Sequence, residues 1–300
     1  MKTNICSVLI STCDKYEDAW KPFFFFFHKY WKDCPYQVYL NTETKKCDFS
    51  DVITINCSNK DNASWSLRLK KALKTIDTKY VIFLLEDFFL LSDVDQKEID
   101  RAIKIMEDNK DISVIDFERV PRIKSNPSDF GRYVERDISA MYFLNCQSAI
   151  WRKKDLIKYL SPYESPWQFE LFGSNRARLY GKKFLLQENE SKPVFNYNVN
   201  WNNGYGIFRS KWLKSNINLF KNNDIKVDFS KLGFYENNSV DMSCPTPKKC
   251  LADRWIYFCH GGGSPYIGIS EWISYLFKNP RKFLSITKEK IKFVLTDYRG

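Results

Sequence analysis

Short apolar runs alternate with segments of helical periodicity over the first 118 residues. Five runs have the length and composition of buried strands: residues 5–10, 36–40, 51–55, 79–87 and 112–117. Between them, three segments repeat apolar residues at helical spacing: residues 16–31, 62–76 and 95–108. This alternation predicts an α/β fold with a mostly parallel central sheet flanked by helices. The run at 79–87 is almost uninterrupted, as expected of a strand buried on both faces.

The alternation weakens after residue 118. Residues 160–268 are rich in Pro, Gly, Asn and aromatic residues, which predicts an irregular region of the kind that forms sites more often than cores. Residues 270–298 repeat apolar and basic residues at helical spacing, which predicts amphipathic C-terminal helices. We therefore expect a main domain at residues 1–240 and a C-terminal extension at residues 241–300.

Two adjacent acids, Glu86 and Asp87, lie within the apolar octet LLEDFFLL. Buried carboxylates are costly unless they are paired. At the carboxyl end of a parallel strand they would face the crevice where α/β sheets bind ligands, and Mg²⁺ or Mn²⁺ with a substrate phosphate would satisfy them. The alternative is that both acids turn outward and pair with Lys or Arg. Downstream, Asp93 and Asp95 form an Asp-x-Asp pattern, but we expect them to cap the following helix.

A third acid, Glu170, is flanked by apolar residues in the segment SPWQFELF. Apolar surroundings raise the pKa of a carboxyl group and make it a useful proton acceptor near neutral pH. The alternative is an acid in the first turn of a helix, where it interacts favourably with the helix dipole. Arg176 and Arg178 follow within a few turns and are candidates to pair with Glu170 or with phosphate.

The segment VNWNNGYGIFRSKW, residues 199–212, combines two Gly with Asn and aromatic residues. This composition is typical of a mobile loop that closes over a ligand. Arg209 and Lys211 would then meet a departing diphosphate. Trp201 is interpreted either as a stacking surface for a sugar or as a packing residue, and Tyr205 likewise. His260 precedes the flexible stretch GGGSP and is a candidate metal or pyrophosphate ligand.

Charge and cysteine content limit the classes of partner. The formal net charge of +11 favours anionic partners, but no block of five basic residues is present, so we expect no binding of nucleic acid. The nine Cys include no CxxC pair, and the odd number without a signal peptide argues against a disulfide framework. No run reaches the roughly 18 to 20 apolar residues that span a bilayer. We therefore expect a cytoplasmic protein.

Taken in order, several of these segments resemble a known family. They are the strand and loop ICSVLISTCDKYEDAW, the helix SWSLRLKKALKTI, the strand KYVIFLLEDFFL, and the later segments NCQSAIWRKKDLIKYL and SPWQFE. Their layout over residues 3–240 is similar to that of bacterial nucleotide-sugar-dependent glycosyltransferases of the GT-A type, which occur in capsule and surface-polysaccharide clusters. The resemblance implies a GT-A-like, Rossmann-like fold. It also implies transfer of a sugar from a nucleotide-diphosphate donor to a saccharide or lipid-linked saccharide.

The resemblance further implies roles for individual residues. Glu86 and Asp87 would hold a divalent metal, Mn²⁺ or Mg²⁺, and the donor diphosphate, although Phe88 stands where the usual Asp-x-Asp motif has its last acid. Glu170 would be the general base of an inverting reaction. Two aromatic residues would contact the acceptor: Trp167 and Trp201. Seven residues would bind the donor nucleotide: Thr12, Cys13, Asp14, Tyr16, Asp61, Ser64 and Arg68.

Other interpretations stay open. The incomplete acidic motif is compatible with a non-catalytic carbohydrate-binding or scaffold protein of the same fold. A sugar-phosphate nucleotidyltransferase shares the sheet order, but it is expected to carry an early Gly-rich phosphate loop, and STCDKYED contains no Gly. The basic amphipathic tail is predicted to pack on the core or in a homodimer interface. The alternative for the tail is peripheral contact with the inner face of the membrane.

Overall fold

The computed structural model describes residues 5–56, 63–118, 123–140, 142–162, 164–188, 191–197 and 205–236, together with Phe277 and Pro280. The chain divides into two compact units, Met1–Asn237 and Asn238–Gly300. The predicted extension at residues 241–300 lies outside the described residues except for Phe277 and Pro280. In the part of the chain that is described, no helix has the length and apolarity needed to cross a membrane.

Strands and helices alternate along the first unit. The strands of the central sheet are β1 (Cys6–Ser11), β2 (Gln37–Thr42), β3 (Val52–Asn56), β4 (Tyr80–Leu85), β5 (Ile112–Asp116), β6 (Ser125–Asn126), β7 (Tyr133–Arg136), β8 (Ala149–Arg152) and β9 (Lys183–Gln187). A separate hairpin consists of β10 (Ile207–Phe208) and β11 (Lys211–Trp212). The helices are α1 (Glu17–Tyr30), α2 (Trp65–Thr75), α3 (Gln96–Asp108), α4 (Lys153–Tyr159), α5 (Pro166–Gln168), α6 (Ser174–Arg178) and α7 (Ser215–Lys221).

Among the described residues, the central sheet has nine strands in the order β3-β2-β1-β4-β8-β5-β9-β7-β6. The strands β3, β2, β1 and β4 pair in parallel, as do β5 and β9. The strand β8 lies between β4 and β5 and is antiparallel to both. At the far edge, β7 is antiparallel to β9 and to β6. The predicted α/β fold with a mostly parallel central sheet is confirmed.

The central strand β4 is buried on both faces, as its apolar sequence predicts. Successive side chains of a strand point to opposite faces of the sheet. On one face, Tyr80, Ile82 and Leu84 pack in a core that includes residues of α1 and α3. On the other face, Val81 and Phe83 pack in a core that includes residues of α2 and α4. The strand is therefore held rigidly between two layers of helices, and its carboxyl end has a fixed position.

The helix that follows β4 begins at an acidic cap. The side chain of Asp95 accepts a hydrogen bond of 3.2 Å from the backbone amide of Glu98 in the first turn of α3. Such a cap satisfies one of the amide groups that a helix leaves unpaired at its start. The prediction that the Asp93–Asp95 pattern caps a helix is confirmed for Asp95.

Candidate functional site

One edge of the central sheet collects polar residues from the ends of its strands. Because β1, β2, β4 and β5 run in the same direction, their carboxyl ends meet there, at or just before Thr12, Glu43, Glu86 and Asp116. The antiparallel strand β8 starts at this edge, where Ala149 pairs with Asp116. The loop before β8 therefore lies at the same edge of the sheet as these strand ends. In α/β sheets the carboxyl edge is where ligands bind, so it is the candidate site.

Glu86 directly follows β4 and is buried at this edge. Burial and then the charge of Asp87 raise the pKa of Glu86 well above its ordinary value, although a hydrogen bond from the Thr12 side chain lowers it. Burial and then the charges of Glu86 and Glu43 raise the pKa of the neighbouring Cys13 thiol to about 11. The predicted residues Thr12, Cys13 and Glu86 thus lie together. The acid is turned inward, not outward toward solvent.

Asp87 fastens the β10–β11 hairpin to the end of β4. Its Oδ2 atom accepts hydrogen bonds from the backbone amides of Gly206, at 3.2 Å, and Ile207, at 2.9 Å. Burial raises the pKa of Asp87 to about 6, while these two amides act in the opposite direction. The glycine permits a close approach, because its backbone passes against Phe89 and Asp87. One oxygen of this carboxylate is therefore already occupied by protein donors.

The turn of this hairpin reaches the loop that follows β1. Arg209 and Ser210 have φ angles of 48° and 64°, as the two central residues of a type I′ turn require. Neither is Gly or Asn, the residues that adopt this conformation most easily, so the turn stores conformational strain. The Ser210 hydroxyl lies 2.9 Å from the Tyr16 hydroxyl. Arg209 and Lys211 are exposed beside this contact.

The acidic pair provides a donor set that fits a divalent cation bound together with phosphate. Mg²⁺ is usually held by one or two carboxylates plus substrate phosphate oxygens, and it keeps several waters. Glu86 and the Oδ1 atom of Asp87 would supply the protein oxygens, since Oδ2 of Asp87 is occupied. Within the described ranges, no group of three or more His, Cys, Asp or Glu could hold a metal by itself. The pair thus fits a cation that arrives with its substrate.

Asp14 joins two loops of the site. Its Oδ1 atom accepts hydrogen bonds from the backbone amides of Glu43, at 3.1 Å, and Lys45, at 3.3 Å, and its Oδ2 atom accepts from that of Thr44, at 3.0 Å. Partial burial raises the pKa of Asp14, but the hydrogen bonds from Thr44 and its neighbours outweigh burial and leave the pKa below its ordinary value. The carboxylate therefore connects the loop after β1 to the loop after β2.

The start of α2 contacts the loop that follows β2. The Ser64 hydroxyl caps the helix by accepting a hydrogen bond of 3.3 Å from the amide of Leu67. Arg68 donates to the Ala63 carbonyl at 2.9 Å and forms an ion pair of 3.0 Å with Glu43. The structure thus brings Arg68 to the site, whereas Ser64 caps the start of the same helix. The positive charge of Arg68 is paired with Glu43, a residue that the sequence did not suggest.

Glu170 lies in a π-helical turn at Phe169–Gly173. Its Oε1 atom accepts a 2.9 Å hydrogen bond from the amide of Cys146, in the loop before β8. Burial raises the pKa of Glu170 to about 7, while the Cys146 amide and then the Arg136 charge lower it. Single π-helical turns frequently occur at functional sites. Trp167, in the same helical segment, is 65% exposed.

Arg176 has a partner other than Glu170. Its guanidinium binds the buried Glu164 through two hydrogen bonds of 2.6 Å each. The expectation that Arg176 pairs with Glu170 is wrong, because Glu164 offers a bidentate geometry that matches the guanidinium fork. Arg178 donates to the backbone carbonyls of Ile138, at 2.6 Å, and Ala140, at 2.7 Å. The pKa of Glu170 is therefore set mainly by burial.

Another buried carboxyl group, Glu118, lies just after the end of β5 and was not suggested by the sequence. Its carboxylate contacts the Tyr205 hydroxyl, which also contacts the side chain of Gln147. Burial raises the pKa of Glu118 to about 7, the bond from Tyr205 lowers it, and the charge of Asp116 raises it further. The signal was present in ISVIDFE, because an acid that ends a buried run is the same pattern that drew attention to Glu86.

Three residues predicted at the site lie outside the described residues: Asp61, Trp201 and His260.

Comparison with known proteins identifies no sequence family. No protein-family model matches the chain, and no curated protein matches its sequence. Among solved structures, S. aureus TarS, residues 1–349, is similar with a TM-score of 0.42 and 14% identity over 64% of this chain and 59% of that one. A cytidylyltransferase from Leptospira borgpetersenii has a TM-score of 0.42 and 16% identity over 79% of this chain and 99% of that one. The functional proposal therefore rests on the residues of the site.

Proposed function

We propose that this protein is a glycosyltransferase that moves a sugar from a nucleotide-diphosphate donor to a saccharide or lipid-linked saccharide. One observation carries the proposal: Glu170, whose pKa lies at about 7, shares a sheet edge with the buried acidic pair Glu86 and Asp87. The pair suits a cation with a diphosphate, and a carboxyl group that titrates near neutral pH suits a general base.

In the proposed reaction, Glu170 accepts the proton of an acceptor hydroxyl as the hydroxyl oxygen forms a bond to the anomeric carbon of the donor sugar. The bond between that carbon and the diphosphate oxygen breaks, and the nucleotide diphosphate leaves with the electron pair. Attack from the face opposite the leaving group inverts the anomeric centre. A divalent cation at Glu86 and Asp87 would bind diphosphate oxygens and offset their charge.

Exposed residues around the site suit the two substrates. Arg209 and Lys211 lie at the hairpin turn next to Tyr16, where their positive charges would attract the diphosphate. The indole of Trp167 is 65% exposed and lies three residues before Glu170, so it offers a flat surface for stacking an acceptor sugar ring. We therefore place the donor on the side of Tyr16 and the acceptor on the side of Trp167.

The proposal is tested by measuring binding and transfer separately. The thermal stability of the protein is measured with a panel of nucleoside diphosphates and their sugar conjugates, with and without Mn²⁺. A metal-dependent rise in the melting temperature with one base is expected. Release of that nucleoside diphosphate is then measured with candidate saccharide acceptors. Glu170→Gln should abolish release yet keep donor binding, whereas Glu188→Gln, at an exposed glutamate, should change neither.

A non-catalytic binding protein is the second candidate. It is favoured by one observation, the occupation of Oδ2 of Asp87 by the amides of Gly206 and Ile207. In that case saccharides alone would stabilise the protein, and no nucleotide would do so. Absence of stabilisation by every nucleotide would contradict the glycosyltransferase proposal and leave this second function in its place.

A further inference from the structure

A tight turn at Asn145–Gln147 carries the amide that binds Glu170. The amide of Gln147 donates a hydrogen bond of 3.1 Å to the side chain of Asn145, which closes the turn. The Asn145 side chain also lies near Asp116, at the end of β5, and lowers the pKa of its carboxyl group. Cys146, in the middle of the turn, donates its amide to Glu170 at 2.9 Å. The position of this amide is therefore controlled by what holds the residues on either side of it.

Tyr205 holds the Gln147 side of this turn. Its hydroxyl contacts both the Gln147 side chain and the carboxylate of Glu118. Its ring packs against Phe88 with a centroid distance of 4.2 Å. The next residue along the chain, Gly206, donates its amide to Asp87. A single tyrosine thus lies between the acidic pair at the end of β4 and the turn that binds Glu170.

The hydroxyl contacts of Tyr205 depend on the proton of Glu118. A phenol carries one proton, so it donates to one of its two oxygen neighbours at a time. When Glu118 is ionised, the phenol donates to the carboxylate. When Glu118 is protonated, its own proton can be donated to the phenol oxygen, and the phenol proton can then be donated to the Oε1 atom of Gln147. The strength of the bond to Gln147 therefore changes with the charge of Glu118.

Other titratable and charged groups face these two acids. Asp116 and Tyr197 lie near Glu118, and the charge of Asp116 acts on it. Glu170 faces the thiol of Cys146 and the guanidinium of Arg136. Arg136 is itself buried and paired with Asp116, so its charge is held in place.

We infer that Tyr205 is a positioning residue: through Gln147, its hydroxyl holds the Cys146 amide on the carboxylate of Glu170. The consequence for catalysis rests on the proposed function, but the coupling between the two carboxyl groups does not. The bond from Cys146 lowers the pKa of Glu170, so loosening the turn raises it. Tyr205 thereby links the hairpin that covers the acidic pair to the acid that would accept the proton.

The test follows the titration of isotope-labelled glutamate carboxyl groups by NMR, with Glu118 and Glu170 assigned from their Gln variants. Tyr205→Phe keeps the ring and removes the hydroxyl, and Gln147→Met removes the same link from the other end. Both should raise the titration midpoint of Glu170 by about half a pH unit. Tyr36→Phe is the matched control, because the Tyr36 hydroxyl also lies between a carboxylate, Asp100, and a glutamine amide, at the opposite edge of the sheet.

A Glu170 midpoint that is the same in the wild type, Tyr205→Phe and Gln147→Met would overturn the inference, even where the midpoint of Glu118 moves. This readout needs no substrate, so it is separate from the test of the proposed function. Where transfer is observed, the acidic limb of its pH–rate profile should move to higher pH in Tyr205→Phe and stay at the wild-type pH in Tyr36→Phe. A lower rate with an unmoved profile would assign Tyr205 a purely structural role.

Discussion

The backbone amide of Ile207 donates a 2.9 Å hydrogen bond to the Oδ2 atom of Asp87, which lies just after the end of β4. The amide of Gly206 donates to the same atom at 3.2 Å. A carboxylate that accepts two backbone amides fixes the hairpin, and both of these bonds use the same oxygen of Asp87. The acidic pair and the hairpin that covers it are therefore a single structural unit.

Replacing Gly206 by Ala should disturb this unit. A Cβ atom at this position would lie 2.4 Å from Cε2 of Phe89, 2.9 Å from the carbonyl oxygen of Asp87 and 3.1 Å from its Cβ atom. The Phe89 ring is buried and the Asp87 carbonyl oxygen belongs to the backbone, so neither atom can move away easily. The hairpin must therefore shift instead. We expect a loss of about 1–3 kcal/mol in the free energy of unfolding, measured by urea denaturation.

The control for Gly206→Ala is Gly181→Ala. Gly181 has a positive φ of 58° but nothing lies within 4 Å of the added Cβ, so this variant carries backbone strain without a clash. It should lose about 1 kcal/mol and should bind Mn²⁺ with the affinity of the wild type. Gly206→Ala should bind Mn²⁺ more weakly in the presence of a nucleoside diphosphate. Equal affinity of the two variants for Mn²⁺ would mean that the position of the hairpin does not affect cation binding at the acidic pair.

A divalent cation should stabilise the protein through Glu86. Burial and the charge of Asp87 raise the pKa of Glu86, which means that the paired negative charges are unfavourable without a counter-ion. Mn²⁺ at 100 times its dissociation constant, added with a nucleoside diphosphate, should raise the free energy of unfolding by about 2.7 kcal/mol. Glu86→Gln removes one of the two charges, and we expect its affinity for the cation to fall by about tenfold or more.

Glu107→Gln is the control for the cation experiment. Glu107 lies near the end of α3 and pairs with Lys79, which precedes β4, so it belongs to the opposite edge of the sheet. Its replacement should leave the effect of Mn²⁺ on the melting temperature unchanged. Stabilisation by Mn²⁺ that survives in Glu86→Gln would place the cation away from the acidic pair.

The local pattern of the chain predicted the main strands and their helices, since each depends on neighbours within a few residues. The apolar run at β4 and the helical spacing of α2 and α3 required no long-range information. The position of β8 between β4 and β5 could not be read in this way. Its four residues, Ala149–Arg152, form a short apolar strand that would suit several places in the sheet, and only tertiary pairing selects one.

Individual acids of the site could be predicted from their apolar neighbours in sequence, but contacts between segments far apart in the chain could not. Glu86 and Glu170 stood out because each is an acid in apolar sequence. The partner of Asp87 is Gly206, 119 residues away, and that of Glu118 is Tyr205, 87 residues away. No spacing rule connects such pairs. Glu118 directly follows an apolar run that ends at Phe117, as Glu86 directly follows Leu85, so the pattern was the same although only Glu86 was singled out.

Stability should depend on pH through Glu118. Burial raises its pKa from 4.5 to about 7, so the folded protein binds this proton more tightly than the unfolded chain does. The free energy of unfolding should therefore fall as the pH rises from about 4.5 to about 7, at up to about 1.4 kcal/mol per pH unit from this group. Glu118→Gln cannot ionise, so its stability relative to the wild type should rise over the same interval.

Urea unfolding of the wild type and Glu118→Gln at a series of pH values measures this difference directly. Glu170, whose pKa is also about 7, and Asp116, at about 6, titrate in both proteins, and the charge of Asp116 acts on Glu118, so the difference measures Glu118 together with its coupling to these neighbours. Between about pH 5 and pH 8 it should change by on the order of 3 kcal/mol. Glu188→Gln, at an exposed position, should show no such change. A difference that stays constant with pH would mean that Glu118 titrates alike in the folded and unfolded chains, and that its contact with Tyr205 is not governed by a buried proton.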